Sequence, residues 1–409
     1  MRLHLTGPTE KELRAHIKIT GSKSESNRSL LLAALYKGIT IENTSNSDDA
    51  KVMAQGLKKT SGTVDIHHAG TAMRFLTGYF SGQEGRNVIL TGSKRMTERP
   101  IKILVDALRE LGADISYEKE EGYPPIKIKG KALIKDRVSL PANVSSQYIS
   151  SLLLLAPSLK SGLELELVGK ITSVPYIKMT LGLLDELGIP NSFEGNLIKV
   201  SPKASVSPTT LVVESDWSSA SYYYSIVAMA AIGSEITLSA YKKDSLQGDS
   251  VLAELYTHFG VETSFGEHTI SLKKVTEPKE NTVTFDLANA PDIAQTIAVT
   301  TFGLGMGCHL TGLHTLKIKE TDRLEALFTE LSKFGADISV TDKSLTIIPS
   351  KGIKEEVAID TYNDHRMAMA FAPLAMKTPL FVNDAGVVSK SYPDFWEDLK
   401  ELQFKVMEL

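Results

Sequence analysis

The sequence predicts an α/β (α+β) chain built from one supersecondary unit used six times, three copies to each of two domains. Three observations predict it. The first is a helical apolar pattern that stops at a glycine or small polar residue and passes straight into a strand. It occurs at QGLKKTSGTVDI near residue 61, DALRELGADIS at Gly112, LLDELGIP at Gly188, LYTHFGVETSF at Gly260, LSKFGADISV at Gly335 and DLKELQFKVM near Gln403. These stops lie roughly 50 to 75 residues apart, the period of repeated supersecondary units. The second is that every copy carries another helix that is apolar nearly all round. The third is a set of short β-branched or alternating segments between the helices.

Taken in order, the apolar helices are SNRSLLLAALYKG, GTAMRFLTGYFSG, SSQYISSLLLLAPSLK, SSASYYYSIVAMAAIG, PDIAQTIAVTTFGLG and HRMAMAFAPLAMK. With no polar face to give to water they belong inside, and the charged helices outside. NVILTG, ELELVG, NLIKVS, SEITLSA and LTIIPS supply strands, so each copy reads β-α-β-α-β-β with helices covering one sheet face. The best-marked copy is the stretch 312–340. Leu324, Leu327, Phe328, Leu331 and Phe334 keep helical spacing, Thr321 is the expected N-cap, and Gly335 is the stop before a strand over 336–340. The polar, proline-containing loop KASVSPTT (203–210) precedes a restart at ESDWSSAS, which puts the domain boundary near residue 216.

The chain has 409 residues, 42% hydrophobic and 23% charged, with a formal net charge of −4. That balance is globular and carries no polyelectrolyte signal for nucleic acid. The opening MRLHLTGPTEK has no apolar leader and no stretch reaches about eighteen uninterrupted apolar residues, so neither a signal peptide nor a membrane span is expected. A single cysteine, Cys308, leaves no partner for an intrachain disulfide and suits a reducing cytoplasm. GSKSESNRS lacks the P-loop frame, GLGMGC lacks the third glycine of a dinucleotide fingerprint, and His67-His68 has no second ligand pair at metal spacing.

The unusual residues stand at helix starts. Lys23, Arg28, Arg74, Arg95, Lys319, Arg323, Arg366 and Lys390 are read there, although a cation at that end costs about 0.3–1 kcal/mol against the macrodipole. A bound anion, accepting from the free N–H groups and pairing with the cations, offsets the cost. The expectation is therefore a cationic cleft between two domains for phosphate and carboxylate ligands. Asp292 and Glu320 are candidates for acid–base work beside such ligands, and equally a cap and a salt-bridge partner. His365 is a candidate phosphate donor, and equally a cap.

The strings GSKSESNR (21–28), AGTAMR (69–74), LTGSKRMTERPI (90–101), SSQY (145–148), SVPYI (173–177), PDIAQTIA (291–298), KETDRL (319–324), NDHRMAMAF (363–371) and SKSYPDF (389–395) resemble, in order, the motifs of the 5-enolpyruvylshikimate-3-phosphate synthase family. The resemblance implies an enolpyruvyl-transferase fold with domains 21–216 and 1–20 plus 217–409. It implies transfer of an enolpyruvyl group from phosphoenolpyruvate to the 5-hydroxyl of shikimate 3-phosphate, with phosphate released, no cofactor and no metal, in a cytoplasmic monomer. Carried over by motif, Lys23, Ser24, Arg28, Ser145, Ser146, Gln147, Ser173, Tyr176, Asp292 and Lys319 correspond to contacts of shikimate 3-phosphate. Lys23, Gly70, Arg95, Gln147, Glu320, Arg323, His365, Arg366 and Lys390 correspond to the phosphoenolpyruvate side. Asp292 takes the role of base at the 5-hydroxyl with Lys319 assisting, Glu320 that of the acid at the methylene carbon, and Lys23 touches both ligands.

Three positions depart from the family pattern: Phe75 where many members have Pro or Leu, His68 where Asn is common, and Thr315 where many have an Asn on the shikimate ring. Two rival readings stand beside the main one. A transferase acting on UDP-N-acetylglucosamine shares the fold, but typically uses a Cys or Asp in a loop where this chain reads RMTERPI. A non-catalytic anion-binding protein on the same fold would be expected to lack Asp292, Lys319 or Glu320, and all three are present.

Overall fold

The computed structural model describes every residue except 11, 172, 173 and 351. The described residues form two compact units: a continuous one, Gly21–Val213, and a bipartite one, Met1–Thr20 with Glu214–Leu409. The division falls between Val213 and Glu214, against residue 216 in the sequence reading.

In the continuous unit, Ser61–Asp65 runs parallel to Asn87–Thr91, and Ile126–Lys129 and Asp114–Tyr117 follow antiparallel. The second sheet repeats this with Arg137–Pro141 parallel to Leu163–Val168, then Leu197–Val200 and Asn191–Glu194. Parallel neighbours need a crossover, and the apolar helices Gly70–Ser81 and Ser146–Leu155 provide it. The third sheet has two strands only, Ile39–Glu42 parallel to Thr209–Val212. Its copy has no closing hairpin because helix Asp48–Leu57 is followed, after residues 58–60 alone, by a strand of the next sheet.

The bipartite unit has three four-stranded sheets of the same plan. Thr282–Asp286 is parallel to Gly307–Thr311, with Leu345–Ile348 and Asp337–Val340 antiparallel beyond it. The other two borrow from the N-terminus. Arg14–Ile17 pairs in parallel with Glu235–Ser239, and Leu3–Thr6 lies between Leu380–Val382 and Lys405–Glu408, antiparallel to both. These backbone ladders are what tie the first twenty residues to the far half of the chain.

Burial divides the two helix types. Gly70–Ser81, Trp217–Met229 and Ala294–Gly303 are buried at every residue, whereas Lys102–Leu111 buries only the stripe Leu104, Val105, Ala107, Leu108 and Leu111. The stops are conformational: Gly112, Gly188, Gly260 and Gly335 have φ of 110°, 64°, 75° and 96°, a left-handed turn that an L side chain disfavours. Gln403 takes the same turn at φ 65° without being glycine. Helix Arg323–Lys333 is capped by Asp322, not by Thr321 as its sequence led us to expect. The Asp322 carboxylate accepts from the N–H groups of Leu324 and Glu325 at 3.2 Å each, and brings a full negative charge to the positive end of the helix. Among the described residues no helix is long and apolar enough to cross a membrane.

Candidate active site

In the bipartite unit the named residues converge on Arg323, the first residue of its helix and 2% exposed in its side chain. Its Nε donates to Asp364 Oδ2 at 2.7 Å, Nη1 to Asp292 Oδ1 at 2.9 Å, and Nη2 to Glu320 Oε2 at 2.9 Å. Asp292 also accepts from Arg366 Nη2 at 3.1 Å and pairs with Lys319 Nζ at 3.4 Å. Burial alone would loosen the proton of Arg323. The carboxylates of Asp364, Glu320 and Asp292 outweigh it and hold the guanidinium above the usual arginine value. Arg366 follows the same logic, burial opposed first by Asp292. Three cations thus meet three carboxylates. Lys319, 29% exposed against 2% and 11% for Arg323 and Arg366, is the most open of the three to an arriving anion.

Neighbouring elements place the rest. Asp364 caps helix His365–Phe371 by accepting from the Arg366 N–H at 2.9 Å, so one carboxylate orients both a helix and Arg323. His365 is buried, with Nδ1 3.9 Å from Asp364 Oδ1. Lys390 donates to both the carbonyl (2.6 Å) and the side-chain oxygen (2.8 Å) of Asn363. It ends the 3₁₀ turn Ala385–Lys390. For Lys390 the helix-start reading is therefore corrected, whereas Arg95, the second residue of the one-turn helix Lys94–Thr97 capped by Ser93, does stand at a helix start.

In the continuous unit Arg28 is 3% exposed and makes four hydrogen bonds. Nε donates to Thr180 Oγ1 at 2.8 Å, Nη1 to the Ser24 carbonyl at 2.7 Å, and Nη2 to Ser150 Oγ at 2.9 Å and the Tyr176 carbonyl at 3.3 Å. Burial pushes its pKa down to about 10, with Tyr176 and Glu25 working the other way. Lys23 Nζ lies 3.5 Å from Asp49 Oδ2. Ser145 caps helix Ser146–Leu155, and Gln147 Nε2 donates to Thr71 Oγ1 at 3.2 Å. Gly70 opens its helix where a Cβ would come within 2.8 Å of Arg99 Nη1, so only glycine leaves that guanidinium its place. Arg95 is exposed and 3.5 Å from Glu98. Ser173 lies outside the described residues. Phe75 is fully buried under the Arg28 guanidinium, 5.3 Å from ring centroid to Cζ. Thr315 precedes the turn Leu316–Ile318.

The sequence reading picked out Thr71 and Asp364 only as members of helix-start motifs and did not name Asn363, Ser150 or Thr180. A signal existed for two of them: Ser150 and Thr180 lie four residues after Ser146 and Tyr176, one helical turn along the same face.

Asp249 is a further buried member of the bipartite cluster, accepting from the Ser218 hydroxyl. Burial and then the Asp292 charge push its carboxyl up to about 7, against the pull of Arg366. The folded state holds this proton more tightly than the unfolded state. The group therefore favours folding fully below about pH 4 and loses that contribution as the pH rises to about 7. Asp249→Asn should gain stability relative to wild type over that interval. Urea unfolding at about pH 5 and about pH 8 checks this, and an equal difference between the two proteins at both pH values would refute it.

The comparisons with known proteins agree on the architecture. A solved EPSP synthase from Acinetobacter baumannii superposes with a TM-score of 0.83 over 100% of both chains at 22% identity, so the fold is that of an EPSP synthase. The family described as EPSP synthase (3-phosphoshikimate 1-carboxyvinyltransferase) matches residues 8–65 and 58–399. A 3-phosphoshikimate 1-carboxyvinyltransferase of Bacteroides fragilis is 44% identical over 411 residues, covering 99% of each chain. One from a Marinomonas species is 37% identical over 421 residues, covering 96% of this chain and 97% of its own. This chain belongs to the EPSP synthase family.

Proposed function

We propose that the chain transfers the enolpyruvyl group of phosphoenolpyruvate to the 5-hydroxyl of shikimate 3-phosphate, releasing phosphate; the relatives' name, 3-phosphoshikimate 1-carboxyvinyltransferase, supports the reading. The observation that carries the residue roles is the Asp292 carboxylate, bonded by Arg323 and Arg366 and paired with Lys319. A carboxylate so held is fixed in direction and keeps an ammonium beside it, which suits a base acting at one hydroxyl. Glu320, which accepts from Arg323 and is 24% exposed against 13% for Asp292, is the more accessible carboxylate for carrying a proton to and from the methylene carbon.

In this reading Glu320 gives a proton to C3 of phosphoenolpyruvate, C2 becomes electrophilic, and the 5-hydroxyl oxygen bonds to C2 as Asp292 takes its proton. The tetrahedral adduct then loses one C3 proton and phosphate, restoring the methylene. Lys23, Gly70, Arg95, Gln147, Glu320, Arg323, His365, Arg366 and Lys390 serve the phosphoenolpyruvate anion. Lys23, Ser24, Arg28, Ser145, Ser146, Gln147, Ser173, Tyr176, Asp292 and Lys319 serve shikimate 3-phosphate. Both sets serve one reaction, in a cytoplasmic monomer. Phosphate release from phosphoenolpyruvate should require shikimate 3-phosphate and should not occur with UDP-N-acetylglucosamine. Release with the nucleotide sugar alone would replace this reading by the rival transferase.

A further inference from the structure

The turn that delivers Asp364 is built from two consecutive left-handed residues, Tyr362 at φ 54° and Asn363 at φ 58°. Asn adopts that region readily, but a bulky aromatic residue does so only where its surroundings over-determine it. The Tyr362 side chain is 39% exposed, so burial of the ring does not explain the conformation. The hydroxyl does: it donates to Glu330 Oε1 at 2.6 Å.

Glu330 is fully buried on helix Arg323–Lys333, and its other oxygen accepts from the Asp360 N–H at 3.2 Å. Lys333 closes the arrangement, 2.7 Å from Glu330 Oε2 and 3.2 Å from Asp360 Oδ2. The helix is therefore fastened to the 360–364 segment at both ends, by Glu330 to Asp360 and Tyr362 and by Arg323 to Asp364. Because Asn363 is left-handed, its carbonyl and its side-chain oxygen both fall on Lys390 Nζ, at 2.6 and 2.8 Å.

From this we infer that Glu330 and Tyr362 are positioning residues: they hold the left-handed turn that fixes Lys390 through Asn363, and with it the phosphoenolpyruvate half of the site. The inference rests on the proposed transfer reaction and on Lys390 serving phosphoenolpyruvate. Neither residue meets a substrate in this scheme. Tyr362→Phe removes one oxygen from a partly exposed ring and leaves the core untouched, which makes it the decisive variant.

Phosphate release by the full chain is measured while each substrate is varied in turn, for wild type, Tyr362→Phe and Glu330→Gln. The KM for phosphoenolpyruvate should rise about three- to tenfold in Tyr362→Phe, the scale of one lost hydrogen bond, with the KM for shikimate 3-phosphate within about twofold. Glu330→Gln should shift the same constant in the same direction. A Tyr362→Phe enzyme whose phosphoenolpyruvate KM stays within twofold, whatever its melting temperature, overturns the inference, as does an equal rise in both constants. A wild-type chain that releases no phosphate sinks the transfer reading and this inference with it, whereas an active wild type with an unaltered variant sinks the inference alone.

Discussion

Arg323→Met should destabilise the bipartite unit by about 3–5 kcal/mol, the range seen when one partner of a buried ion network is removed. Arg323 is the common partner of Asp364, Asp292 and Glu320, and Asp364 is completely enclosed. Without the guanidinium, three carboxylates face one another with Lys319 and Arg366 left to balance them, and both of those reach Asp292. Folding would then require protonation of at least one carboxylate. Arg323→Lys should recover only part of the loss, since an ammonium cannot span three acceptors with a planar fork. The two tryptophans, Trp217 and Trp396, both lie in this unit, so urea unfolding followed by their fluorescence reports on it selectively. A midpoint shift worth less than about 1 kcal/mol at unchanged slope would show that the cluster contributes little to folding.

How much of this was legible in the sequence depended on the range of the interaction that decides each feature. The helix stops were legible because the requirement is local: Gly112, Gly188, Gly260 and Gly335 each need a left-handed φ, and glycine advertises it. The choice of Asp322 over Thr321 as cap was ambiguous, since both are capping residues and only the backbone path separates them. The two-stranded sheet of Ile39–Glu42 and Thr209–Val212 was missed because pattern counts six repeats without asking whether 58–60 leaves room for a hairpin.

For the site, the motif strings named Asp292, Lys319, Glu320, Arg323 and Arg366 one at a time. That they form one ion cluster around Arg323 is tertiary information. The partners of Arg28 are the clearest example: helical spacing from Ser146 and Tyr176 points to Ser150 and Thr180, but these stand 122 and 152 residues from Arg28 and nothing local joins them to it. The positions of the cations at helix starts did not show their partners: in the bipartite unit Lys319, Arg323 and Arg366 come paired with Asp292, Glu320 and Asp364.

Glu320→Gln and Asp292→Asn should each lower turnover by a factor of about 10² to 10⁴, the usual worth of a positioned proton-transfer group. The amides keep the size of each side chain and an oxygen that can still accept from Arg323, but Asp292→Asn also gives up the charge that Lys319 and Arg366 meet, so its turnover is compared at matched folded fraction. Turnover alone does not tell the two carboxylates apart. Deuterium does: with the enzyme working in deuterium oxide, each reversible protonation of C3 leaves deuterium in the methylene of recovered phosphoenolpyruvate and of product. Glu320→Gln should suppress exchange and turnover together, because addition does not begin without a proton at C3. Asp292→Asn should slow bond formation to the 5-hydroxyl and lower product, with its residual turnover still carrying deuterium through an intact Glu320. Should Glu320→Gln exchange deuterium as fast as wild type, the acid is another group, and Lys319, the half-buried cation 3.4 Å from Asp292, is the one to replace next.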